Sequence, residues 1–134
     1  MDRDLNWLIS VDDHLFEPPD VWTSAAPARW RDQVPRVVDA DGISVWTYED
    51  VRTPVSGILV QAGRDPSEVN PDPLSYAEML PAYYDSVARL EYMNRDGVLA
   101  SLCFPFFPRF CGQTFYEADD RELAAWCVQR WNDW

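Results

Sequence analysis

Leu8-Ile9-Ser10-Val11-Asp12-Asp13-His14-Leu15-Phe16-Glu17-Pro18-Pro19 is the stretch on which the fold turns. An apolar run ends abruptly in two carboxylates, the only histidine of the chain, a third carboxylate and two prolines. If residues 8–14 are extended, successive side chains alternate between two faces. Asp12 and His14 then share one face and Asp13 takes the other. A carboxylate and an imidazole side by side at the end of a buried strand make half of a divalent-metal site. The same residues also suit a plain turn, with His14 bonded to backbone and Asp12 or Asp13 capping it. Spacing alone leaves both readings open. Pro18-Pro19 forbids continuing a regular ladder, so the chain turns there.

A second framework strand is expected well downstream. Tyr83, Val87, Leu90 and Met93 or Asn94 fall at helical spacing, and Gly97 stands where a C-terminal cap belongs. Val98-Leu99-Ala100-Ser101-Leu102-Cys103-Phe104 follows and is stopped by Pro105. A short, continuously apolar run of this kind reads as a strand buried on both faces of a parallel sheet. After a loop over 106–114, Asp119 opens a second helix, with Glu122 three residues on as a capping box. Its apolar face is Leu123, Trp126, Cys127 and Trp131. The order strand, excursion, helix, strand, loop, helix is an α/β pattern with a parallel pair joined by a crossover.

The excursion, 18–81, reads as a long insertion after the first strand rather than as framework. Asp20 caps a short helix over 21–25. Arg36-Val37-Val38, the Asp39-Ala40-Asp41-Gly42 turn and the run 43–48 form a β-hairpin. A further strand is expected over 55–61, and 62–73 is loop. Long excursions inside a compact domain are often functional. Before the decisive stretch, residues 1–6 are a polar lead-in and Trp7 opens the strand.

With 134 residues the chain is at most one domain, with enough length for its own core. A net charge of −12 argues against nucleic acid or an anionic membrane as partner. Cys103, Cys111 and Cys127 form no CxxC, their number is odd, and no signal peptide precedes the first strand. A reduced, cytoplasmic protein is the expectation. Combined with His14 their spacings match no zinc ribbon or finger, so Cys103 and Cys127 are expected as buried, inert thiols. The last helix runs to Trp134 without a cap. The expectation is therefore an N-terminal part of a longer α/β domain; the competing one is a small domain that buries Trp131 and Trp134 in a dimer.

Beyond these patterns the residues carry a likeness. The stretch 9–22, Ile9-Ser10-Val11-Asp12-Asp13-His14-Leu15-Phe16-Glu17-Pro18-Pro19-Asp20-Val21-Trp22, resembles the opening of actinobacterial members of the amidohydrolase-related family. This is the amidohydrolase 2 group, which includes aminocarboxymuconate-semialdehyde decarboxylase-like enzymes. Arg89-Leu90-Glu91-Tyr92-Met93-Asn94-Arg95-Asp96-Gly97-Val98 looks like their first helix entering the second strand. Phe104-Pro105, Pro108-Arg109-Phe110-Cys111-Gly112, Glu117-Ala118-Asp119-Asp120 and Trp131-Asn132-Asp133-Trp134 also look like that group.

The resemblance implies the N-terminal portion of a (β/α)8 TIM barrel of the metallo-dependent hydrolase type, with its active site at the C-terminal ends of the strands. It implies a divalent metal, usually zinc, held from the first strand by Asp12 and His14. Further histidines and an aspartate from later strands complete such a site. One histidine and 134 residues fall short of that set and of the roughly 250 residues of a whole barrel. The isolated chain is expected to show no turnover and to bind zinc weakly, since catalytic zinc sites keep three protein ligands. The implied activity is hydrolysis or non-oxidative decarboxylation of a small carboxylate-bearing or aromatic molecule, with a homo-oligomer possible for the full-length protein.

Glu17 either orients His14 or contacts substrate, or is a solvated turn carboxylate beside Pro18. Phe104, Phe106 and Arg109 follow the second strand, where barrel loops reach the pocket. Arg109 suits a substrate carboxylate; a surface ion pair is its plainer role, and core is the plainer role of the phenylalanines. Trp22, Trp30 and Trp46 line an aromatic-binding surface or pack the insertion against the barrel. The alternative function is a non-catalytic acidic α/β module that binds a partner through an aromatic face.

Overall fold

The computed structural model describes residues 8–134. The polar lead-in and Trp7 lie outside the described residues. The first strand, β1 (Leu8–Leu15), pairs in parallel with β5 (Val98–Pro105). Between them come β2 (Arg36–Ala40), β3 (Ile43–Tyr48) and β4 (Val51–Pro54), an antiparallel sheet in that order, and helix α1 (Ser86–Asp96). The single turn α2 (Gln113–Tyr116) and helix α3 (Arg121–Asp133) follow β5. The structure is thus mixed α/β, with one parallel and one antiparallel sheet.

Local chemistry accounts for the framework. The Asp85 carboxylate accepts from the Ala88 amide and caps α1. Gly97 ends that helix at φ 75°, the left-handed region that glycine enters freely. The chain then has nowhere to go but into β5. α3 is capped by Asp120, whose carboxylate accepts from the Glu122 and Leu123 amides. Asp119, expected as the cap, instead donates its own amide to Glu49. The Glu49 carboxylate holds the 119–120 backbone in place, which moves the cap one residue on.

Two further expectations in 18–81 are corrected. No helix forms over 21–25; Val21 and Trp22 are drawn into the core, and only isolated turn bonds such as Ser24 N–H to Asp20 O remain. The third strand is not at 55–61 but at 51–54. Glu49 takes a positive φ of 47° and closes a tight turn, so pairing with β3 resumes at once and stops at Pro54. Val55 and Val60 then face the core, and a 3-10 turn (Gly57–Leu59) lies between them. A side chain at Gly57 would stand 2.2 Å from the Asp72 carbonyl oxygen, so only glycine fits there.

The hydrophobic centre lies between 16–84 and 106–134, not on the parallel sheet. The ring of Trp22 meets those of Trp46, Phe107 and Phe115 edge-on at 5.2, 5.8 and 5.7 Å. Trp46 stacks on Phe107 at 5.1 Å. Both indoles are fully buried, and each finds an acceptor, as buried N–H groups must. Trp22 donates to the Cys127 carbonyl of α3, and Trp46 to the Tyr76 hydroxyl. The segment that reads as an insertion thus supplies much of the core, and its tryptophans pack rather than line a surface. Leu123, Ala124 and Cys127 are the buried face of α3, with Trp126 and Trp131 half-buried at its margins. The expected two-sided burial of β5 is not found: Leu99 and Leu102 are more than half exposed.

Candidate metal centre

β1 and β5 run in parallel, so their C-terminal ends lie together. Their register contains two irregularities that compensate. Leu8 and Ile9 oppose Val98 and Ala100, one extra residue in β5. Ser10 and Asp13 oppose Ser101 and Cys103, one extra residue in β1. A bulge of this kind re-aims side chains without unpairing the strands. Here it lies at Val11 and Asp12. Ser10 and Asp13, three apart, point to the same side and hydrogen-bond to each other. Val11, Asp12 and His14 are exposed on the other side.

α1 covers the Asp13 side. The Arg89 guanidinium donates to Asp13 Oδ2 at 2.8 Å, and the Ser101 hydroxyl donates to the same oxygen. Burial pushes the Asp13 carboxyl upward, but the bonds from Ser101, Ser10 and Arg89 outweigh it and hold it below the usual carboxylate range. Arg89 Nε is buried without a partner. Beside this network, between α1, β5 and α3, runs a groove of about 350 Å³ whose walls include Leu90, Met93, Cys103 and Trp131. Asp12 and His14 do not line it.

The Asp12–His14 pair lies on the face turned away from the helix. His14 Nε2 is 3.5 Å from Asp12 Oδ1, and the two side chains are 65% and 78% exposed, so both present free donor atoms. Phe104 opposes His14 across the strands, with ring centroids 5.9 Å apart. An oxygen and an imidazole nitrogen this close suit a borderline divalent cation such as zinc. They provide two protein ligands. Among the described residues, no group of three or more His, Cys, Asp and Glu side chains converges to hold an ion.

The remaining candidates divide. Glu17 is not a solvated turn carboxylate: it is fully buried. Its Oε1 accepts from the Phe106 amide at 3.1 Å and from Trp131 Nε1 at 2.8 Å, and its Oε2 from the Phe107 amide at 3.0 Å. Burial drives its carboxyl up to about 7, against the opposite pull of these donors. Phe106 stacks on Phe16 at 4.1 Å and packs against the core. Arg109 is exposed, in the loop that leaves β5, with φ 64° and ψ −174°. That backbone region strains a side-chain-bearing residue, and Cys111 (φ 55°) adds a second left-handed residue to the same loop. Cys127 is a buried thiol pushed up to about 12 by burial and by Asp120, so it is inert. Cys103 is half-buried and Cys111 exposed.

The Arg89–Asp13–Ser101 network and the partners of Glu17 have no sequence signal, because every contact spans 76 residues or more. Only the placing of Asp13 opposite Asp12 hints at the first.

No helix among the described residues is long and apolar enough to cross a membrane. No protein-family model matches the chain, and no curated protein does. Among solved structures it is similar to the crystal structure of an amidohydrolase from Mycobacterium avium subsp. paratuberculosis K-10, with a TM-score of 0.62 and 21% identity. The match covers 96% of this chain and 37% of that one, so the chain spans little more than a third of the amidohydrolase's length. At this identity the likeness is one of fold: the chain is folded like part of that amidohydrolase.

Proposed function

We propose that the chain supplies the first two β/α units of a metal-dependent amidohydrolase-type (β/α)8 barrel. The activity proposed for the whole protein is hydrolysis or non-oxidative decarboxylation of a small carboxylate-bearing or aromatic molecule. One observation carries the reading. A carboxylate and an imidazole stand 3.5 Å apart near the C-terminal end of the first of two parallel strands, on the face away from the helix. In a barrel of this kind that face lines the interior and that end carries the chemistry. The likeness in fold to part of an amidohydrolase supports the same placement.

In this reading Asp12 and His14 hold a divalent cation, zinc by the chemistry of the pair. A bound cation of this kind supplies Lewis acidity toward a substrate oxygen or a water. Phe104 flanks the imidazole, limits its rotation and keeps water from one side of it. Arg109, exposed at the mouth of the strands, attracts and orients a substrate carboxylate. The non-catalytic reading requires an exposed aromatic face in 18–81; Trp22, Trp30 and Trp46 are buried.

The single histidine makes the test direct. Zn²⁺ added to the chain should shift the His14 ring resonances with weak affinity, and Asp12→Ala should weaken the binding further. Tight stoichiometric zinc on this chain, or binding indifferent to Asp12→Ala and His14→Ala, overturns the assignment.

A further inference from the structure

Glu17 stands where the hydrogen-bond ladder between β1 and β5 must fail. The pairing runs to Leu15 opposite Pro105, and neither Pro105 nor Pro18 carries an N–H. The amides of Phe106 and Phe107 would be left without strand partners. The Glu17 side chain takes both, one on each carboxylate oxygen, and adds the Trp131 indole of α3. Its backbone is held as well. The Glu17 carbonyl accepts from the Tyr76 hydroxyl at 2.7 Å, and the adjacent Phe16 amide donates to the Tyr83 carbonyl.

A buried carboxylate is a costly way to join segments; well-packed apolar side chains of similar volume usually do so at lower cost. What the carboxylate provides is direction. Three donors from two segments converge on two oxygens, which fixes the exit of β1 relative to the exit of β5 and to α3. His14 is three residues upstream of Glu17, and Arg109 is two residues downstream of Phe107.

We propose that Glu17 is a positioning residue, a clasp that sets the Asp12–His14 pair relative to the loop 106–112. The role rests on the metal reading above. It acts through the backbone of residues 14–17 and 106–107, without contact with metal or substrate. Glu17→Gln keeps the shape but leaves one acceptor for three donors and turns an amide N–H₂ toward an N–H.

The test is Co²⁺ titration of the chain, followed at the His14 ring and at the Phe106 and Phe107 amides. Bound Co²⁺ displaces nearby amide resonances by amounts that depend on their position relative to the metal. In Glu17→Gln the affinity should fall about tenfold, as for other residues that support metal ligands, and the Phe106 and Phe107 displacements should change. Trp131→Phe, which removes one donor and keeps the ring, should move both in the same direction by less. Val34→Ala, a core truncation lowering the thermal midpoint, should leave both as in the wild type. Wild-type affinity and displacements in both Glu17→Gln and Trp131→Phe overturn the proposal alone, as does an equal effect of Val34→Ala. Unchanged Co²⁺ binding in His14→Ala overturns the metal reading and the proposal with it.

Discussion

Protonation of Glu17 links folding to pH in a direction unusual for a carboxylate. Burial drives the folded group from 4.5 up to about 7. Between those values the folded chain keeps a proton that the unfolded chain has released, so the contribution of Glu17 to stability falls as pH rises across the window. Thermal unfolding followed from pH 4.5 to 8 should show the wild type losing stability relative to Glu17→Gln, which does not titrate. Parallel curves for the two proteins would exclude a raised Glu17. At this scale the sequence is informative only where neighbours in the chain are neighbours in space. Asp12 and His14 come together as alternation expects, although a bulge and not a regular strand aims them. Glu17 defeats the same reasoning: an acid beside two prolines looks solvated, and its three donors are 89 to 114 residues away.

Helix α1 has no fully buried residue, and Val87 and Leu90 are largely exposed. Its attachment to the sheet depends on polar contacts more than on apolar burial. Arg89 donates to Asp13, and the two side chains are only 22% and 27% exposed. Arg89→Ala leaves Asp13 half-buried without its cation. It should cost about 1–2 kcal/mol, a buried pair's penalty reduced by solvent screening, read by urea unfolding at pH 7. A loss below a few tenths would mean that α1 is held by something else. The elements legible from sequence were those with local punctuation: Gly97 after α1, the Asp41-Gly42 turn between β2 and β3, and Pro105 at the end of β5. β4 was misplaced because a glutamate at positive φ, a position usually given to glycine or asparagine, closes its turn.

For the molecule as a whole, burial is lopsided. The aromatic centre between 16–84 and 106–134 is dense, while the two-stranded parallel sheet shows one face to solvent. Ile9, Val11, Leu99 and Leu102 are each more than half exposed there, beside open strand edges. Unpaired edges with apolar neighbours recruit further chains. Sedimentation velocity should show concentration-dependent association despite the charge of −12, and a Val11→Lys, Leu102→Lys variant should reduce it. A wild type that stays monomeric at high concentration would refute this. That 18–81 would hold the centre of the molecule was not readable, because hydrophobic pattern gives each segment a buried face without saying which segments share it.

The paired bulges in β1 and β5 carry a consequence for how such a chain can diverge. They act as a parity device: one extra residue on each strand leaves the register where it began, while the residues between are counted differently. Substitutions at most positions of β1 leave that count intact, so the amino-acid letters can drift far while the geometry persists. A single deletion at Val11 cannot be absorbed in the same way. It would invert the orientation of one end of the strand relative to the other, exchanging the faces of Asp12 or Asp13 against a fixed helix. Over evolutionary time, the length of this strand is therefore more tightly constrained than its composition.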